Sequence, residues 1–134
     1  MRYRTLDHTA DVMVEAFGGS LEECFANAAY ALTDQIVDVR TVLPREEREI
    51  VAEGHDHESM LYNFLSEVLF VFDATGMVFS EFSVSFSDGE VRCLARGERF
   101  DAERHRPKKE VKAITYHKLA VDPVRPSVRV VFDI

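Results

Sequence analysis

The hydrophobic period of this chain changes at Gly76, and that change constrains the fold more than any other feature. Before it, two segments repeat apolar residues at helical spacing: Leu21, Phe25, Ala28, Ala29, Leu32 and Ile36, then Leu61, Phe64, Leu65, Val68, Leu69 and Phe72. Residues three and four apart share one side of an α-helix. Ser20 with Glu23 three positions on gives the first segment a capping-box start, and Asp56 caps the second. Beyond Met77 the period becomes two, with Val78, Phe82, Val84 and Phe86 assigned to one face, and Asp88-Gly89 turns the chain back over 90–97 as a hairpin. Two more strand patterns, 110–121 and 127–134, are joined by a turn holding Pro123 and Pro126. Alternation at 10–16 and a strand-like run at 46–54 complete the order β-α-β-α-β-β-β-β. That order predicts an α+β fold, a mostly antiparallel sheet covered by two amphipathic helices as a two-layer sandwich.

With 134 residues, the chain is read as a single domain over 1–134. A domain of that size buries roughly two thirds of its unfolded surface without staples. An apolar content of 46%, including 10 Phe, argues against a disordered chain. No apolar run approaches the roughly 20 residues that span a bilayer, and the start "MRYRTLDHTAD" lacks a signal-peptide core, so a cytoplasmic protein without membrane partners is expected. Cys24 and Cys93 are far apart and set among apolar residues, which predicts buried reduced thiols. Charge is unevenly spread: residues 1–90 carry 18 Asp and Glu against 5 Lys and Arg, while 91–134 carry 11 basic against 6 acidic. A net charge of −8 disfavours autonomous RNA binding, although the basic run "ERHRPKKEVK" can meet phosphates locally.

Three stretches hold more polar groups than packing needs: "DHTAD" at 7–11, "EVKAITYH" at 110–117 and the closing "FDI". In the last strand Val128, Val130, Phe132 and Ile134 share the apolar face, which turns Asp133 to the other side with Val131 and Arg129. Asp11 likewise opens a strand on its polar face. If those two strands are neighbours, two carboxylates converge beside the α-carboxylate expected at Ile134, and like charges at that range call for a cation or proton between them. Oxygen donors suit Ca²⁺, Mg²⁺ or Mn²⁺. Spacing alone favours the plainer reading, in which Asp7 and Asp11 cap a turn and Asp133 is an exposed charge. His8, His105 and His117 lack zinc-site spacing, and His55 and His57 read as solvated residues at a helix start. No nucleophile elbow, phosphate-binding loop or Cys-His pair is present, so no catalytic residue is assigned.

Taken in order, "DHTAD", "SLEECFANAA", "GERFDAERH", "EVKAITYH" and the final "FDI" resemble the archease family over essentially the whole chain. The resemblance implies a small α+β protein that is not itself an enzyme. It implies a protein cofactor of RtcB-type RNA ligases, which seal tRNA halves with GTP and a divalent metal, the archease promoting ligase guanylylation and turnover. By the same resemblance, metal binding falls on Asp11 and Asp133 with Ile134, and a ligase contact falls on Lys112. RNA contact would be weak or indirect. Where the family often has glycine after "DHTADV", Met13 stands here. Two other classes use the same residues: a small metal-dependent hydrolase built on Asp11 and Asp133, and an RNA-binding chaperone built on 104–109.

Overall fold

A computed structural model describes residues 1–6 and 11–134. The chain runs β1 (Tyr3–Leu6), β2 (Asp11–Phe17), α1 (Leu21–Ile36), a 3₁₀ turn (Val39–Thr41), β3 (Glu46–Glu53), α2 (His57–Thr75), β4 (Met77–Ser87), β5 (Glu90–Arg99), α3 (Ala102–His105), β6 (Ala113–Asp122) and β7 (Ser127–Asp133). Both long helices begin where their capping residues stand. The Ser20 hydroxyl accepts from the Glu23 N–H, while the Glu23 carboxylate reaches back to the N–H of Gly19. Asp56 and Ser59 form a reciprocal capping box on α2.

The strands form two antiparallel sheets, ordered β1-β2-β7-β6 and β3-β5-β4. The α+β expectation holds, with the antiparallel strands divided between two sheets. Helix α1 packs on β2 and β4, and α2 on β3 and β6, so each helix bridges the two sheets. Buried apolar side chains of both sheets and both helices belong to one cluster, which includes Val14, Phe25, Leu32, Leu61, Phe64, Phe79 and Phe132.

One local feature of the expected strand pattern is found as read, and one is corrected. The β4–β5 hairpin closes on Asp88 (φ 46°) and Gly89 (φ 75°), the paired positive φ angles that a two-residue turn needs to match strand twist. Further along, a bulge at Ser80 sits between the pairs Phe79↔Gly97 and Glu81↔Arg96. An extra residue inverts the side-chain phase. Phe79, rather than Val78, therefore shares the core face with Phe82, and Val78 pairs with Glu98 on the other face. At Gly97 the chains are so close that a Cβ would lie 1.8 Å from the Val78 carbonyl oxygen, so only glycine fits the pairing here.

Candidate functional site

Strands β2 and β7 are neighbours at the centre of the four-stranded sheet, and their register sets Asp11 directly opposite Asp133. Opposed residues of an antiparallel pair project from the same face with Cβ atoms about 4.5–5.5 Å apart. The two carboxyl groups therefore rise side by side, both half-buried. Among the described residues neither is hydrogen-bonded or ion-paired. The preceding residues of the "DHTAD" stretch, 7–10, lie outside the described residues.

Two successive residues of the neighbouring chain stand against Asp133. Ala113 is its register partner, and the Lys112 N–H donates to the Asp133 carbonyl oxygen at 2.7 Å. Lys112 is thereby fixed at the same sheet corner by its backbone, its side chain exposed and without an ion pair among the described residues. The alternation expected along 110–121 is broken again between Thr115 and Ala120, where the register with β7 shifts. Lys118 turns there with φ 57°, and its carbonyl accepts from Arg129 Nε at 3.1 Å. Ile134 follows Asp133 with its side chain partly buried against the core.

Side-by-side carboxylates repel unless a proton or cation lies between them. Their hard oxygen donors fit Ca²⁺, Mg²⁺ or Mn²⁺. No set of three His, Cys, Asp or Glu groups close enough for a metal ion occurs among the described residues. The donor set is thus an open pair, which suits an ion that completes its shell with water, with backbone oxygen at Ile134, or with a partner's atoms.

The other sequence candidates fall elsewhere. Cys24 and Cys93 are buried free thiols, pushed up by burial to about 11 and about 12. His55 and His57 are exposed at the start of α2. His105 is fully buried with both ring nitrogens engaged, Nδ1 accepting the Asp101 N–H at 2.8 Å and Nε2 lying 2.9 Å from Glu98 Oε2. Since Nδ1 accepts, Nε2 carries the hydrogen and donates to Glu98. In the basic run, Arg104 is held bidentate by Glu98 at 2.6 and 2.8 Å, and Lys108 Nζ lies 3.1 Å from Asp34 Oδ1. Two of the cations needed by an RNA-binding reading are thus already paired within the protein.

Sequence reasoning missed the Glu98 network altogether. The Glu98 carboxylate is 4% exposed, accepts the Leu43 N–H at 2.8 Å, and meets Arg104 and His105. The Arg104 guanidinium lowers its carboxyl to about 2, against the cost of burial. The segment that follows is laced to the end of α1: Asp38 donates to the His105 carbonyl, Lys108 to Ile36, and Lys109 to Gln35. This lacing carries the chain into Lys112. "GERFDAERH" thus anchors the approach to the acidic corner.

The fold and the corner together define a small α+β protein that presents paired carboxylates at the end of two central strands, with a lysine beside them. The chain belongs to the archease family: the family model described as "Archease protein family (MTH1598/TM1083)" matches residues 3–134. It is 46% identical over 125 residues to Protein archease of Pyrococcus abyssi, an alignment covering 90% of this chain and 88% of that protein. It is 38% identical over 138 residues to Protein archease of Danio rerio, covering 99% and 85%. The solution structure of Methanobacterium thermoautotrophicum protein 1598 superposes with a TM-score of 0.82 at 35% identity, covering 99% of each chain. A crystal structure from Thermotoga maritima, described as an archease and possible chaperone, gives a TM-score of 0.63 at 21% identity over 98% and 96%, a likeness of fold alone. Among the described residues no helix is long and apolar enough to cross a membrane.

Proposed function

We propose that this protein is a non-catalytic cofactor of an RtcB-type RNA ligase, promoting the ligase's guanylylation and repeated turnover in tRNA splicing or RNA repair. The observation that carries this reading is the register pair Asp11↔Asp133, two carboxylates without hydrogen-bond or ion-pair partners among the described residues, at a corner where the exposed Lys112 side chain likewise has no ion pair among them. Groups left unpaired on a rigid sheet are suited to complete a site on another protein. Asp11 and Asp133 would hold a divalent cation, which would supply neutralisation of charge that builds on a phosphate. Asp133 is held in the ladder by β2 on one side and β6 on the other, and Asp11 is held by its pairing with Asp133, so the pair is preorganised before any partner arrives. Lys112 offers a mobile point charge to a phosphate or carboxylate. The acidic excess of residues 1–90 steers the protein toward a basic cleft.

The decisive experiment mixes the purified ligase with GTP, a divalent metal and RNA ends, with and without this protein. Ligase guanylylation rises many-fold on addition, while this protein alone neither hydrolyses GTP nor joins RNA. Sustained turnover by the isolated protein, lost in Asp11→Ala, would replace the cofactor reading with a metal-dependent hydrolase.

Metal binding is tested by melting. An ion present at tenfold its Kd stabilises by about 1.4 kcal/mol, enough to raise the midpoint by several degrees in a chain of this size. Titration with Ca²⁺ or Mn²⁺ shifts the parent, and the shift fades in Asp11→Asn. Equal shifts in both would remove Asp11 from the site.

Lys112→Ala tests the neighbouring charge. The Lys112 backbone bond to Asp133 survives the substitution, and exposed substitutions fall within about 0.5 kcal/mol. The variant keeps the parent's melting temperature and loses most of its stimulation of the ligase. Full stimulation would return Lys112 to an ordinary surface charge.

A further inference from the structure

The groove between α2 and the start of β6 has no role in the carboxylate chemistry, yet it shares Lys112 with the acidic corner. It encloses about 220 Å³ and is lined by Tyr62, Ser66, Phe70 and Asp73 of α2 together with Lys112 and Ile114. Tyr116 stacks on Tyr62 with ring centroids 4.1 Å apart and planes 17° apart, extending the aromatic wall. Phe70 is 61% exposed and Tyr116 55%, and these are the two aromatic rings among the described residues' exposed large apolar side chains. Rings gathered in one groove, rather than scattered over a surface, mark a recognition patch.

Charge decides what fits there. Helix α2 carries Glu58, Glu67 and Asp73 and neither Lys nor Arg. Two copies packed through this helix would set like charges against each other, and a nucleic acid backbone would meet an acidic surface. A protein surface with an apolar side chain ringed by Lys or Arg satisfies both the rings and the carboxylates. Lys112 is common to the groove and to the corner, its N–H bonded to the Asp133 carbonyl at 2.7 Å. Ile114 pairs with Phe132 and so lines the face opposite Asp133, and a partner that meets both the groove and the carboxylates wraps the β6 edge at Lys112.

We propose that the Tyr62–Phe70–Tyr116 groove is the docking site for a basic, apolar-tipped surface of the ligase, setting affinity while the adjoining carboxylates set activation. The inference rests on the ligase-cofactor reading and assigns binding to a different set of residues.

The test measures ligase guanylylation against the concentration of this protein, for the parent, Phe70→Ser, Tyr116→Ala and Leu94→Ser. Leu94 is an exposed apolar residue of β5, 42% accessible, and serves as the control. Direct binding to immobilised ligase, RNA binding, solution mass and melting curves are recorded for each. Phe70→Ser and Tyr116→Ala raise the concentration for half-maximal stimulation roughly ten- to thirtyfold, as anchor residues do. They reach the parent's plateau at saturation and keep its melting temperature, while Leu94→Ser matches the parent. An unchanged half-maximal concentration overturns the proposal, as does a lowered plateau with unchanged affinity. So does a parent dimer that Phe70→Ser dissolves, or a loss of RNA binding in Tyr116→Ala with ligase binding intact. If the parent neither binds nor stimulates the ligase, the cofactor reading itself fails, and that result is visible before any variant is made.

Discussion

Asp133→Ala abolishes activation of the ligase while melting at the parent's temperature or slightly above it. The two effects separate because the residue's backbone and side chain have different duties. Its backbone completes the ladder with β2 and accepts the Lys112 N–H, and both survive truncation of the side chain. The neighbouring apolar contacts belong to Val130 and Phe132, which are fully buried. The carboxylate has no partner among the described residues and stands opposite another of the same sign. Removing it relieves repulsion with Asp11 and costs no internal bond, so the stability change stays within about 0.5 kcal/mol or is favourable. Any divalent-ion stabilisation vanishes with it. Guanylylation assays beside melting curves, each with and without metal, provide the measurement. A variant that activates as well as the parent sinks the acidic-corner reading, and one that melts several degrees lower shows that the side chain has a structural partner.

How much of this was readable beforehand depended on the range over which each feature is encoded. Helices α1 and α2 and their caps at Ser20 and Asp56 depend on residues within four positions of one another, and Asp88-Gly89 carries its turn in two residues. Those features were legible. Asp11 and Asp133 were legible as polar-face residues, but their pairing needed β2 and β7 to be neighbours, a long-range fact that no period reveals. The division into two sheets is of the same kind. Strand β1 went unread because its four residues, Tyr3–Leu6, make a short edge strand with no interior run to bury. At Ser80 a single inserted residue exchanged the roles of Val78 and Phe79, since period-two reasoning has no warning of a bulge. Lys112 and Ala113, both set against Asp133, defeat alternation in the same way. Glu98 was the hardest case. Its neighbours Arg96 and Arg99 are exposed, and its burial makes sense only once Leu43, Arg104 and His105 converge on it. The one local hint was the density of charge in "GERFDAERH", a motif that resemblance could mark but spacing could not explain.

Glu98→Gln has the larger structural effect, a loss of about 2–4 kcal/mol at neutral pH. The carboxylate accepts four close bonds, from the Leu43 N–H, both Arg104 Nη atoms and His105 Nε2, and Arg45 Nε adds a longer contact at 3.6 Å. A glutamine amide removes the charge and turns an NH₂ toward donors that cannot accept from it. Arg104 and Arg45 reach water and recover part of the cost, whereas fully buried His105 cannot. The pH dependence has a definite sign. Glu98 is lowered from an ordinary 4.5 to about 2, so the folded state binds its proton less readily than the unfolded chain. Its stabilisation is fully present above about pH 4.5 and is lost as pH falls through about 2. Urea unfolding of parent and variant between neutral pH and pH 2 therefore shows a gap that is constant at the upper end and narrows below about 4.5. Because His105 and the residues after it are laced to Asp38, Ile36 and Gln35 on the way to Lys112, the variant also activates the ligase less well at temperatures where it is still folded. A gap that stays the same width down to pH 2 would show that the charge of Glu98 contributes nothing. A variant as stable as the parent at neutral pH would leave the network without its structural role.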